Sequence, residues 1–124
     1  MIHLDANFLI DSLKPASPAV ISLKNWLGQG ETFATSAIAW AEFLNGPARP
    51  DQIQRVEYLI QGNIVPFAHH EAEVSAKLFN QSGRRRGSQP DCFIAATAML
   101  AGVKLATQNR KHFLPFVSAG LLLA

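Results

Sequence analysis

The stretch SQPDCFIAATAMLAGVKLATQN, Ser88 to Asn109, decides the fold. Its first part reads as a helix over Pro90 to Ala101. Ser88 can cap it, Pro90 suits a first turn where a missing N–H is no loss, and Gly102 suits the position just past the end. The short run Lys104 to Ala106 then reads as a strand, and the polar residues Thr107, Gln108 and Asn109 leave it. A helix feeding directly into a short apolar strand is the repeating step of a parallel α/β sheet.

The same alternation holds upstream. Short apolar runs at Ile2 to Leu4, Thr32 to Thr35 and Ile64 to Val65 predict strands. Helices are expected over Asn7 to Leu13, Pro18 to Leu27, Ala37 to Leu44, Asp51 to Ile60 and His69 to Gln81, with Gly46-Pro47, Gly62 and Gly83 as stops. A last run, Leu121 to Leu123, predicts a fifth strand. Strands that alternate with helices are covered on both faces, so the expected fold is a three-layer α/β/α sandwich.

No repeat, low-complexity tract or linker divides the 124 residues, and one domain spanning 1 to 124 is expected. That length buries a core without disulfides. The lone Cys92 has no partner for a disulfide and reads as a small buried hydrophobe. No apolar run approaches the ~20 residues that cross a bilayer, and no secretory leader pattern opens the chain, so no membrane role and a cytoplasmic location are expected. Net charge is +2, which permits a polyanionic partner without demonstrating one. The densest basic cluster is Arg84, Arg85 and Arg86.

Only 16% of residues are charged, so acids beside apolar segments are informative. Asp5 directly follows the first strand, at the sheet edge where α/β folds bind ligands. Asp91 lies in a helix's first turn, and Glu42 is the only acid in TSAIAWAEFLNG. Two have plain structural explanations, turn chemistry for Asp5 and the helix dipole for Asp91; Glu42 is harder to dismiss, since a mostly apolar helix has at most a narrow exposed face for it. Together, three carboxylates on one rim repel unless a hard divalent cation such as Mg²⁺ neutralises them. Such a site suits phosphodiester hydrolysis. Zinc is not expected, since Cys92 and four scattered His residues show no ligand spacing.

The segments IHLDANFLID, SAIAWAEFLNG, PDCFIAATAMLAGVKLATQN and the trailing HF resemble the PIN-domain nucleases, and among them the toxin ribonucleases of bacterial VapBC-type toxin–antitoxin pairs. The resemblance covers essentially the whole chain in order. It implies a parallel sheet in order 3-2-1-4-5, an acidic pocket binding one or two Mg²⁺ or Mn²⁺ ions, endonuclease cleavage of RNA, a cognate antitoxin and a two-fold homodimer. On matching positions, Asp5, Glu42 and Asp91 become the metal-binding catalytic acids, with Asn7 and Thr107 as supporting polar residues. Asn109 is a further polar residue of the same TQN segment. Many members carry a fourth acid near here, where this chain has Asn109 and His112, which puts a tightly held second metal in doubt.

Arg84 to Arg86, just before the helix that carries Asp91, could grip an RNA backbone or meet an antitoxin. Trp26, Trp40, Phe43, Phe79 and Phe93 read as core or dimer packing, not base-stacking platforms. His69-His70 reads as the exposed start of a helix. The weakly amphipathic segments Asp51 to Ile60 and His69 to Gln81 are the expected source of an apolar face for a second copy. Three other classes compete. A haloacid-dehalogenase-type phosphatase wants D-x-D where this chain has Asp5-Ala6-Asn7. A response-regulator receiver wants an Asp where the third strand ends in Val65-Pro66-Phe67. A degenerate domain of the same fold, binding RNA or protein without cleaving, conflicts with retention of all three acids.

Overall fold

A computed structural model describes residues 1–124. The elements run β1 (Ile2–Leu4), α1 (Ala6–Asp11), α2 (Pro18–Gly28), β2 (Phe33–Ser36), α3 (Ala37–Leu44), α4 (Pro50–Leu59), β3 (Ile64–Val65), α5 (His69–Gln81), α6 (Gln89–Ala101), β4 (Lys104–Ala106) and α7 (Arg110–Val117). The sheet has four parallel strands in order β3-β2-β1-β4. The expected fifth strand is reduced to a single parallel bridge, Leu105 with Leu123, beside β4. It thus takes the fifth place without forming a ladder.

Two apolar clusters lie on either side of the sheet. Ile2, Leu4, Phe8, Leu23, Phe33, Phe43 and Val56 build one, and Leu78, Ile94, Ala95, Leu105, Phe113 and Phe116 belong to the other. Phe33, Phe43, Phe113 and Phe116 are each at most 1% exposed, and burial of such a side chain stabilises by about 1.5–3 kcal/mol. Successive strand residues face opposite layers, so His3 on central β1 points away from Ile2 and Leu4, on the same side as its β4 neighbour Leu105.

α7 answers to no helix expected from sequence. Pro115 lies inside it and reads as a breaker, yet Phe113 and Phe116, three apart, both reach the core, and that burial outweighs the lost backbone bond. Ser88 does precede α6, but its side chain does not cap the helix; its hydroxyl donates to the Arg85 carbonyl at 2.7 Å. Gly102 ends α6 in the left-handed region (φ 69°) as expected.

The large aromatics pack as expected: Trp26 stacks on Phe8 at 5.7 Å, Trp40 meets Phe43 at 5.4 Å and Phe67 meets Phe93 at 4.9 Å. Cys92 is buried and free. The apolar residues of α5 are spent within the chain, since Leu78 is 2% exposed and Val74 and Phe79 pack on the same cluster. α5 therefore offers little apolar face to a second copy. No helix is long and apolar enough to cross a membrane.

Candidate active site

Parallel pairing brings the carboxyl ends of β1 and β4 to one edge. Asp5 leaves β1 there, and its N–H donates to the Ala106 carbonyl at 2.9 Å. Thr107 leaves β4 at the same level, and its hydroxyl donates to Asp5 Oδ2 at 2.8 Å. The other carboxylate oxygen, Oδ1, accepts from the Ala6 N–H at 2.8 Å, with Asp5 as the N-cap of α1. Asp5 is 4% exposed, so its carboxylate is held rather than merely located.

The polar residues around it form a short relay. Asn109 N–H donates to Thr107 Oγ1 at 3.0 Å, and Gln108 N–H donates to Asn7 Oδ1 at 3.0 Å. The loop after β4 is thereby tied to the start of α1. Asn109 contributes through its backbone; its side chain makes no capping bond to α7, although it occupies the cap position.

Asp91 enters from the first turn of α6, half-buried, and Glu42 from α3, exposed on the rim. Their electrostatics place them near one another, since Asp5 and Asp91 act on Glu42 and Asp5 acts on Asp91. Burial raises the Asp5 carboxyl above its ordinary range, against the lowering pull of the Thr107 hydroxyl and the Ala6 N–H. Glu42 is raised by partial loss of solvent, then by the charges of Asp5 and Asp91. Asp91 is raised by burial, then by Asp5, and lowered by His112 and Arg85. Like charges in a partly dry site disfavour joint ionisation, and a divalent cation removes that conflict.

The acids do not close into a finished cage, since no three His, Cys, Asp or Glu side chains converge tightly enough to hold an ion by themselves. That openness suits Mg²⁺, which is typically bound through one or two carboxylates and keeps several waters. Oxygen donors from Asp5, Glu42, Asp91, Asn7 and Thr107 match a hard cation in kind.

Arg84, Arg85 and Arg86 do not act as one patch. Arg84 lies over the Phe79 ring, 5.1 Å from its centroid, and bonds Asn80 Oδ1 on α5. Arg85 reaches toward the acids instead: Nη2 donates to the His112 carbonyl at 3.3 Å, and its charge is felt at Asp91. His112, marked in the sequence only as standing where many family members carry an acid, is carried to the site by α7. Its Nδ1 lies 3.7 Å from Asp91 Oδ2. Its position, three residues after Asn109 and next to Phe113, signals this only once α7 is known to be a helix. His69 and His70 stand at the exposed start of α5, with rings 4.0 Å apart.

A groove of about 880 Å³ lies elsewhere. It runs between α2 and α4 and is lined by Leu13, Leu23, Leu27, Val56, Tyr58 and Leu59 among others. It contains none of the three acids, and its apolar lining suits a protein segment better than a phosphate.

A family model described as PIN domain matches residues 2–114. Among solved structures, the chain is similar to one in a toxin–antitoxin complex from Klebsiella pneumoniae, with 30% identity, 92% of this chain and 91% of that chain covered, and a TM-score of 0.73. It is also similar in fold to a chain of FitAB bound to an IR36 DNA fragment, at 24% identity, coverage of 100% and 94%, and a TM-score of 0.76. The fold recurs in VapBC2 from Rickettsia felis bound to a DNA fragment from its promoter, at 22% identity, coverage of 100% and 98%, and a TM-score of 0.71. No curated protein matches the sequence.

Proposed function

Because the chain belongs to the PIN domain family, we propose that it is a metal-dependent endoribonuclease and the toxin of a type II toxin–antitoxin pair. The observation that carries the reading is that Asp5 after β1, Glu42 on α3 and Asp91 on α6 come near enough at one sheet edge for Asp5 and Asp91 to raise Glu42 and for Asp5 to raise Asp91. Hydrolysis needs no nucleophilic Ser or Cys here, and the one Cys is buried.

Asp5, Glu42 and Asp91 are the residues that would hold Mg²⁺ or Mn²⁺. When bound, the ion supplies Lewis acidity, lowering the pKa of a water and offsetting charge on the scissile phosphate. The chain's own part is positioning. Thr107 and the Ala6 N–H fix both oxygens of Asp5, so the least mobile acid sets the site's frame. Asn7 and Asn109 lock the loop after β4 against α1. Arg85, beside Asp91, is placed to take a backbone phosphate oxygen as RNA enters, whereas Arg84 is turned away.

The similarity to a chain from a toxin–antitoxin complex supports a cognate antitoxin as partner. The groove between α2 and α4, where Leu27 and Tyr58 are 52% and 86% exposed, is the apolar surface we assign to it. A homodimer is part of the same reading. Exposed Leu100, Leu114, Val117 and Leu122, rather than α5, provide apolar surface for a second copy. A cytoplasmic location is part of the same reading.

The test is cleavage of a mixed RNA by the purified chain. Activity should vanish with EDTA, return with Mg²⁺ or Mn²⁺, and stay absent with Ca²⁺, whose looser geometry suits this chemistry poorly. Cleavage that persists in EDTA overturns the metal-dependent reading, and persistent inactivity with every ion favours the non-cleaving one.

A further inference from the structure

Resting on the three-acid reading, we propose that His112 supplies a nitrogen donor to the same cation site, tilting its preference from Mg²⁺ toward first-row transition ions such as Mn²⁺ and Co²⁺. The backbone at this residue is fixed from several directions. Phe113 and Phe116 anchor α7 in the core. Asn109, at the head of α7, is tied to Thr107 Oγ1, which in turn bonds Asp5. Arg85 holds the His112 carbonyl. The imidazole is therefore carried to the acid rim by a rigid support.

The ring itself is uncommitted. Its Nδ1 to Asp91 Oδ2 separation of 3.7 Å is too long for a hydrogen bond. It is within the roughly 4.2 Å that two donors on one ion can span when each bond is about 2.1 Å. With 62% of the side chain exposed, small rotations are open to it. The charge of His112 bears on Asp5 as well as on Asp91. Carboxylate and carbonyl oxygens suit Mg²⁺, Ca²⁺ and Mn²⁺, while imidazole suits later transition ions, whose affinity rises from Mn²⁺ through Co²⁺. One nitrogen among oxygens therefore discriminates between metals that oxygen alone would bind similarly.

The experiment is calorimetric titration of the RNA-free protein with Mg²⁺, Mn²⁺ and Co²⁺, above the ordinary imidazole pKa, combined with pulsed EPR of the Mn²⁺-loaded chain. Wild type should show a ¹⁴N coupling to Mn²⁺. His112→Ala should lose that coupling and weaken Mn²⁺ and Co²⁺ binding by about ten-fold or more, with Mg²⁺ affinity changed less than about two-fold. His112→Asp should restore Mn²⁺ affinity and strengthen Mg²⁺ binding, with no ¹⁴N signal. A coupling that survives His112→Ala, as it would if His69 and His70 were the binding pair, overturns the proposal, and so does equal weakening of all three ions. If Asp91→Asn binds Mn²⁺ like wild type, the three-acid reading fails as well; if only His112→Ala is silent, the His112 assignment alone fails.

Discussion

Acid should destabilise this protein through one residue in the middle of its sheet. His3 is 2% exposed, between Ala34 on β2 and Leu105 on β4, and neither ring nitrogen meets a protein hydrogen-bond partner. Burial, and secondarily the chain's amino terminus, lower its pKa from 6.5 to about 4. Between those values the unfolded chain binds a proton that the folded chain refuses, so stability present above pH 6.5 is lost as pH falls toward 4. A gap of about 2.5 pKa units corresponds to about 3 kcal/mol, a large share of the 5–15 kcal/mol typical of a domain. Asp5, Glu42 and Asp91 act with the opposite sign: their raised pKa values mean the folded state gains protons first, which stabilises it as pH falls into the carboxylate range. The two effects separate by difference. Urea unfolding of wild type and His3→Leu, from neutral pH down to 4, should show the variant gaining about 3 kcal/mol relative to wild type across the window, because the carboxylate contribution is common to both. The variant should also match or exceed wild type at neutral pH, since Leu fills a similar volume without a buried unpaired polar group. Parallel pH profiles for the two proteins would refute the argument.

Other outcomes follow from the site. Asp91→Asn should lower RNA cleavage at least about 10²-fold while raising the metal-free melting temperature at neutral pH, a gain that shrinks as acid protonates the wild-type carboxyl; calorimetry and a gel assay check both. In an Asp91→Asn background, Arg85→Ala should reduce the slope of log affinity for single-stranded RNA against log salt by up to ~0.7, and Arg84→Ala should leave it nearly unchanged. Equal slopes for both variants would return the cluster to a solvated loop or an antitoxin contact. Light scattering at micromolar concentration should give a dimer mass, and Leu114→Glu with Val117→Glu should shift it to monomer.

Much of this was legible before any coordinates. The strands at Ile2–Leu4, Ile64–Val65 and Lys104–Ala106, and helices α3 and α5, fall where apolar runs and Gly or Pro stops put them. The edge position of Asp5 follows from its place after the first strand of a parallel sheet. What sequence could not supply was side-chain direction. Ser88 has the residue type of a cap, but its hydroxyl found the Arg85 carbonyl in the tight turn before α6. Arg84 and Arg85 are adjacent and chemically identical, yet a positive φ of 55° at Arg84 sends it back onto α5 while Arg85 goes forward to α7. α7 was hidden by Pro115, and with it the approach of His112 to Asp91. His3 gave no signal at all, since a strand of three residues has no room for a pattern that marks its middle residue as buried.

If Asp5, Glu42 and Asp91 jointly hold one divalent cation, the cation must stabilise the fold through them. Binding to the folded chain alone raises stability by RT ln(1 + [L]/Kd), about 2.7 kcal/mol at one hundred times Kd. Thermal unfolding of wild type, Asp5→Asn, Glu42→Gln and Asp91→Asn across a Mn²⁺ titration measures that increment directly. Wild type should show a saturable stabilisation that is lost or strongly weakened in each of the three variants. A wild-type increment that survives unchanged in all three would contradict joint binding.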